Sequence, residues 1–224
     1  MPATSTISEL QTEHGAVSLS LDGDPGARHV VVLGHGAGGG MNSEFMAVAA
    51  SGLAARGLLV CRFNFPFLER GRKSPDRAPV LEATFRAVVD RVGASGSQLV
   101  VLGGKSMGGR IASQIVAQGV DAAGLVFFGY PLHPPGRPER MRDAHLMSIE
   151  SPMLFVEGTR DPFCPLETLE KVRGKLSAPT EVVVIEDGDH SFRVRKSSGR
   201  STDAAWAEAV EAAARWIGRL ERKR

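Results

Sequence analysis

An α/β fold, built on a mostly parallel, doubly wound sheet flanked by helices, is the architecture this sequence predicts. Three features point there. Short runs rich in Val, Leu, Ile and Phe recur along the 224 residues, and helical patterns lie between them. Nine of the 26 glycines sit in two loops that directly follow apolar runs. Alternating strand and helix makes a parallel sheet with helices on its faces. Clustered glycines mark places where backbone turns sharply or approaches something closely.

Taken in order, residues 1–14 read as a flexible N-terminal segment, and AVSLSL (16–21) reads as the first strand. HVVVLG (29–34), LLVCRFNF (58–65), QLVVLG (98–103), GLVFFG (124–129), MLFVEG (153–158) and EVVVIE (181–186) follow as strands. Most are apolar throughout, as strands covered on both faces should be. One helical pattern covers 43–56 through Phe45, Ala49 and Leu53, and a second covers 79–92 through Leu81, Phe85, Val88 and Val89. A third, 107–118, carries Ile111 and Ile115. From Ser201, residues Trp206, Val210, Ala213, Ile217 and Leu220 recur at spacings of four and three, an amphipathic helix closing over the sheet. The irregular segments 66–78 and 130–151 follow strands, so they should overlie the carboxyl edge, where ligands bind in open α/β folds. Neither is long enough for a large cap domain.

Length and composition set the class. A chain of 224 residues supports one sizeable core, so a single domain over 1–224 is expected. With 42% hydrophobic and 23% charged residues it reads as globular, no apolar run is long enough to span a membrane, and the N-terminus lacks the marks of an export signal. A cytoplasmic location is the expectation. A net charge of +2 does not argue for nucleic acid or membrane as a partner. Cys61 and Cys164 lack metal-ligand or disulfide-framework spacing and read as packed thiols, so no metal is expected.

LVVLGGKSMGGRIAS (99–113) holds both GKS and GxSxG. A phosphate-binding loop needs a glycine six residues before the lysine, where this chain has Leu99 inside a strand. A nucleophile elbow needs a strand, GxSxG and a helix, because the serine sits on a strained turn that tolerates only small neighbours. Here Gly104 and Gly108 bracket Ser106 between the 98–103 strand and the 107–118 helix. Such a serine needs an acid and then a histidine, each in a later loop after a strand. Asp161 follows MLFVEG and His190 follows EVVVIE, in the required order.

An oxyanion hole takes one N–H from the residue after the nucleophile, Met107, and another from the loop after an earlier strand. In LGHGAGGGMN, Gly36 and Gly38 let the N–H of Ala37 point inward, with Gly38 as the alternative, and His35 is read as supporting this loop. The same stretch has Gly34, Gly36 and Gly39 in GxGxxG spacing, which raises a dinucleotide site. The next strand ends in Arg62 and Asn64 where a ribose-binding acid is expected, although an arginine there could favour a 2′-phosphate.

Together GHGAGGG, GGKSMGGR, GYPLHPPG, GTRDPF and DGDHSF resemble the small α/β-hydrolases of the dienelactone-hydrolase-like group. More narrowly, they resemble its branch that includes the hydrolase-like subunit of the non-specific-lethal chromatin complex. The resemblance spans about residues 15–220 and implies an α/β-hydrolase fold with a triad at Ser106, Asp161 and His190. Dienelactone hydrolases proper use cysteine as nucleophile, so their substrate is not carried over.

His133 and His145 fall in the 130–151 segment and could line a pocket mouth, without a third partner for a metal. Lys105 could be drawn toward an acid in the site, but the expectation is a lysine that is solvated or bound to a carbonyl. ERGRKSPDR (69–77) and RVRKSSGR (193–200) would be solvated loops or a cationic rim attracting anionic substrates, through Arg70, Arg72, Lys73, Arg193, Arg195 and Lys196. The reading is a serine hydrolase of small esters, thioesters or related acyl compounds, needing no cofactor. The other class is an interaction module that keeps the fold and binds a partner.

Overall fold

The computed structural model describes residues 5–93, 96 and 98–221. Eight strands form one sheet: β1 (Ser5–Thr12), β2 (Gly15–Asp22), β3 (His29–Gly34), β4 (Leu59–Phe63), β5 (Leu99–Lys105), β6 (Gly124–Phe128), β7 (Met153–Gly158) and β8 (Thr180–Ile185). Their order is β1-β2-β4-β3-β5-β6-β7-β8. The β1–β2 and β2–β4 pairs are antiparallel, and every pair from β4 to β8 is parallel. The helices are α1 (Glu44–Ala54), α2 (Pro66–Glu69), α3 (Ala78–Gly93), α4 (Met107–Ala117), α5 (Leu166–Arg173) and α6 (Thr202–Gly218).

The apolar strands divide their residues between two cores. Val32, Cys61, Leu102, Phe127 and Phe155 join the core under α3, α4 and α5. Val31, Leu33, Val60, Val126, Phe128 and Val156 point the other way, toward α1 and α6. Alternation at period two is why these runs are apolar throughout: with helices on both faces, neither side reaches water. The helical stripes dock as their spacing implies, with Leu81, Phe85 and Val88 of α3 and Ile111 and Ile115 of α4 fully enclosed. Ser201 caps α6, its hydroxyl accepting the Ala204 N–H at 3.1 Å.

The N-terminal expectation is corrected. The flexible segment read over 1–14 includes β1, paired with β2 from Ser5↔Asp22 to Thr12↔Gly15. Thr12 closes the hairpin by donating to the Gly15 carbonyl at 2.7 Å and accepting the His14 N–H at 3.1 Å. STISELQT alternates weakly, because this edge strand leaves Ile7 largely exposed and tucks Leu10 against the core. Its turn is Glu-His, without the Asn-Gly or Asp-Gly signal of a two-residue hairpin. Two irregular segments also contain short helices, α2 and a 3₁₀ turn at Ala144–Ser148.

What positions the site is the strand order. From β3 the chain crosses to β4 on one side, while β5 lies on the other. Loops leaving the carboxyl ends of β3 and β5 therefore diverge and leave a crevice between them.

Candidate active site

Ser106 stands between β5 and α4 with φ 52° and ψ −112°, a conformation a side chain rarely adopts. The elbow is held by its N–H donating to the Phe128 carbonyl at 3.0 Å and by Arg110 N–H donating to its carbonyl at 3.1 Å. The flanking glycines are required by contact. A Cβ at Gly104 or Gly108 would lie 2.0 Å from the Gly34 carbonyl oxygen, so the turn packs against the end of β3 with no room for a methyl group.

His190 faces this serine, with Nε2 2.8 Å from Ser106 Oγ and Nδ1 2.6 Å from Asp161 Oδ2. A carboxylate accepts, so Nδ1 carries the proton and Nε2 accepts from the serine hydroxyl. Asp161, its side chain completely enclosed, is oriented by the Phe163 N–H donating to Oδ1 at 2.8 Å. Phe163 also stands edge-on to the His190 ring, 4.6 Å between centroids. Two other acids flank the histidine but have different partners. Asp189 accepts the Ser191 and Arg193 N–H groups, shaping the turn that carries His190. Asp187 accepts the Arg195 N–H and guanidinium, which hold its carboxyl below the usual range.

The loop after β3 closes the other side. The Cβ position of Gly36 is 3.7 Å from Ser106 Cβ, and Ala37, Gly38 and Met107 line the same cavity. As the first residue of α4, Met107 has an N–H with no acceptor inside the helix. His35 is completely buried and clamps the loop, Nδ1 donating to the Gly36 carbonyl at 2.8 Å and Nε2 accepting the Phe65 N–H at 3.1 Å. Burial pulls its pKa down to about 4, so it stays neutral in this tautomer.

Lys105 departs from expectation. It is buried rather than solvated, and among the described residues its Nζ has no hydrogen-bond partner. Burial lowers its pKa to about 8, against the opposing pull of Asp161, Glu157 and Asp189. Glu157, also fully buried, is held well above the carboxylate range by burial and by the charge of Asp161. One of its oxygens accepts the Tyr130 N–H at 2.6 Å. Lys105, Glu157 and Asp161 thus form one enclosed cluster, in which the acids favour the charged form of the lysine and burial opposes it. The sequence signal that could have found this was Glu157 itself, an acid inside an otherwise apolar strand.

The cavity before Ser106 has a volume of about 720 Å³, with Phe45, Leu81, Phe163 and Trp206 among its lining residues. His133 also lines it, whereas His145 turns away to Ser113 Oγ at 2.8 Å. The expected cationic rim is largely neutralised. Arg193 pairs with Glu44 at 3.6 Å, Arg195 pairs with Asp187, and Arg70 and Arg72 stand 3.7 and 3.5 Å from Asp76. Lys73 and Lys196 are exposed. Both candidate nucleotide contacts are committed to the fold. Arg62 is buried on Asp22 and the Met41 carbonyl, and Asn64 accepts the Met41 N–H at 2.9 Å. Cys61 and Cys164 are buried free thiols. Among the described residues no cluster of three or more His, Cys, Asp or Glu could hold a metal, and no helix is long and apolar enough to cross a membrane.

A mostly parallel eight-stranded sheet, flanked by helices and bearing a serine on a strained strand-to-helix turn, defines the α/β-hydrolase class, here without a lid or cap domain. The chain belongs to the family described as alpha/beta hydrolase domain, whose model matches residues 27–218. Its fold is similar to that of dienelactone hydrolase from Anabaena variabilis, at 18% identity and a TM-score of 0.79, covering 99% of this chain and 100% of that one. An α/β serine hydrolase without lid from Xanthomonas campestris is 20% identical with a TM-score of 0.73, over 100% and 99% of the two chains. A cold-adapted esterase from an Arctic intertidal metagenomic library is 16% identical with a TM-score of 0.72, over 99% and 96%.

Proposed function

We propose that this chain is a serine hydrolase of small esters, thioesters or related acyl compounds, with Ser106, His190 and Asp161 as its triad. The observation that carries the reading is one unbroken hydrogen-bond chain from a strained serine to an enclosed carboxylate, opening on a cavity. Ser106 Oγ attacks the substrate carbonyl carbon as its proton passes to His190 Nε2. Asp161 holds the imidazole in the accepting tautomer and stabilises the imidazolium. The N–H groups of Ala37 and Met107 receive the negative charge that develops on the carbonyl oxygen. The tetrahedral intermediate collapses, the bond to the leaving oxygen or sulfur breaks, and His190 returns the proton to that atom. Water then attacks the acyl-enzyme by the same route, releasing the acid and restoring Ser106.

The chemistry needs no cofactor, and a small-molecule acyl substrate is the proposed partner. Within the family, the five ordered motifs support placement in the branch that includes the hydrolase-like subunit of the non-specific-lethal chromatin complex. A fluorophosphonate probe and a panel of p-nitrophenyl esters test the activity: wild-type protein should be labelled and turn over esters, and Ser106→Ala should do neither. Absence of both label and Ser106-dependent turnover in the wild type would replace the enzyme with the interaction module, and wild-type turnover by Ser106→Ala would remove Ser106 as the nucleophile.

A further inference from the structure

The cavity before Ser106 holds two arginines that form no ion pair among the described residues, Glu82 acting on Arg110 only from beyond ion-pair distance. Arg110 lies one helical turn beyond the serine, its N–H donating to the Ser106 carbonyl. Arg142 comes from the segment after β6, fixed by its own N–H donating to the Leu132 carbonyl at 2.7 Å and by the Tyr130 hydroxyl donating to its carbonyl at 3.3 Å. Both line the cavity that Ser106 and His190 line. They are near enough to repel: after burial, Arg110 is the largest influence holding the Arg142 guanidinium below its ordinary value.

Ordinary roles for these residues are missing. Among the described residues the ion pairs engage other arginines, such as Arg62, Arg193 and Arg195, and neither of these two. Arg110 Nη1 donates to Gln114 Oε1 at 3.0 Å, but its Nε is sealed from solvent with no acceptor among the described residues. The cavity acids Asp76 and Glu44 stand against Arg70, Arg72 and Arg193. Two like charges in restricted solvent are unfavourable, and an anion entering the cavity offsets their repulsion. A guanidinium fork suits a carboxylate or phosphate, which it can bind through two parallel hydrogen bonds.

We propose that Arg110 and Arg142 form an anion subsite, so that the substrate carries a carboxylate or phosphate a few bonds from its scissile carbonyl. The assignment rests on Ser106 being the nucleophile of the proposed hydrolase. It differs from a cationic rim because the charges are inside the cavity, where salt screens them less.

The test compares mono-p-nitrophenyl adipate with p-nitrophenyl hexanoate. Wild-type kcat/KM should favour the anionic ester by about tenfold or more, the ratio for one good interaction of this kind. Arg110→Gln and Arg142→Gln should each bring the ratio toward one, and Arg110→Lys should restore part of it by returning charge without the fork. A wild-type ratio near one, or a preference that survives both glutamine substitutions, overturns the subsite. If neither ester is turned over and no fluorophosphonate label appears, the hydrolase reading fails, and calorimetry on the Ser106→Ala protein decides the subsite alone. There, monomethyl adipate or methyl phosphate should bind, methyl hexanoate should bind more weakly, and Arg110→Gln should abolish the difference. Adipate binding assigns a carboxylate and phosphate binding a phosphorylated substrate; binding of neither overturns the subsite.

Discussion

Behind Ser106 and in front of it stand two sets of charged side chains that differ in their access to water. Behind it Lys105, Glu157 and Asp161 are enclosed, and the charge of Asp161 bears on the protonation of the other two. In front, Arg193, Arg195 and Arg72 leave more than half of their side chains exposed while pairing with Glu44, Asp187 and Asp76. Exposed pairs are worth about 0–1 kcal/mol, because water and salt compete with the partner. An enclosed charge that loses its partner costs about 3–5 kcal/mol. Charge density along the chain is thus a poor guide to importance: the conspicuous basic runs lie where charge matters least, while a single lysine and a single glutamate lie where it matters most.

The comparison can be broken most sharply at the acid. Asp161→Asn should lower ester turnover by about 10⁴-fold, the cost of placing an amide where a triad carboxylate fixes the histidine tautomer. Asp187→Asn and Asp189→Asn should cost far less, since Arg195 and backbone N–H groups are their partners. Steady-state kinetics of the three variants reads this directly, and the reverse ranking would move the triad acid to the 187–189 turn.

Next in size is the buried lysine. Lys105→Met should leave the fold at neutral pH as stable as wild type or more stable by about 1–4 kcal/mol in urea titrations, because the burial cost of its charge outweighs the pull of Asp161, Glu157 and Asp189. Lys105 also gives a pH signature. Its folded pKa of about 8 lies below the ordinary 10.5, so between those values the unfolded state binds more protons and this group's contribution to stability rises with pH. The burial penalty is full below about pH 8 and fades toward 10.5. Urea midpoints of wild type and Lys105→Met, followed from pH 7.5 to 10.5, should show that rise only in the wild type.

A smaller pH effect is expected from His145, lowered from 6.5 to about 4 by burial and by Arg110. A depressed histidine contributes stability that is present above pH 6.5 and lost as pH falls toward 4. Thermal melts of His145→Gln should be flatter than wild type across that window. Smallest of all, Arg193→Ser and Glu44→Gln, which break a pair exposed on both sides, should each change stability by under about 1 kcal/mol. Loss of several kcal/mol in either rim variant would erase the distinction between the two sets.

Reading the chain alone determined the elements whose signal is local. Strands β2–β8 and the longer helices follow from apolar runs and three-four spacings, since burial on both sheet faces leaves its mark on every residue of a strand. That Ser106, Asp161 and His190 meet was legible too, because the fold delivers loop residues to one sheet edge in strand order, and their order in sequence reports that placement. Strand β1 was not, its pairing with β2 deciding what its weak alternation leaves open. Nor were the destinies of the charges. Whether Arg195 is free or paired with Asp187, whether Lys105 reaches water, and whether Arg110 and Arg142 share a cavity all depend on residues far apart in the chain or on separate elements. Electrostatic strength is set by enclosure and partner distance, and only the packed tertiary structure supplies both.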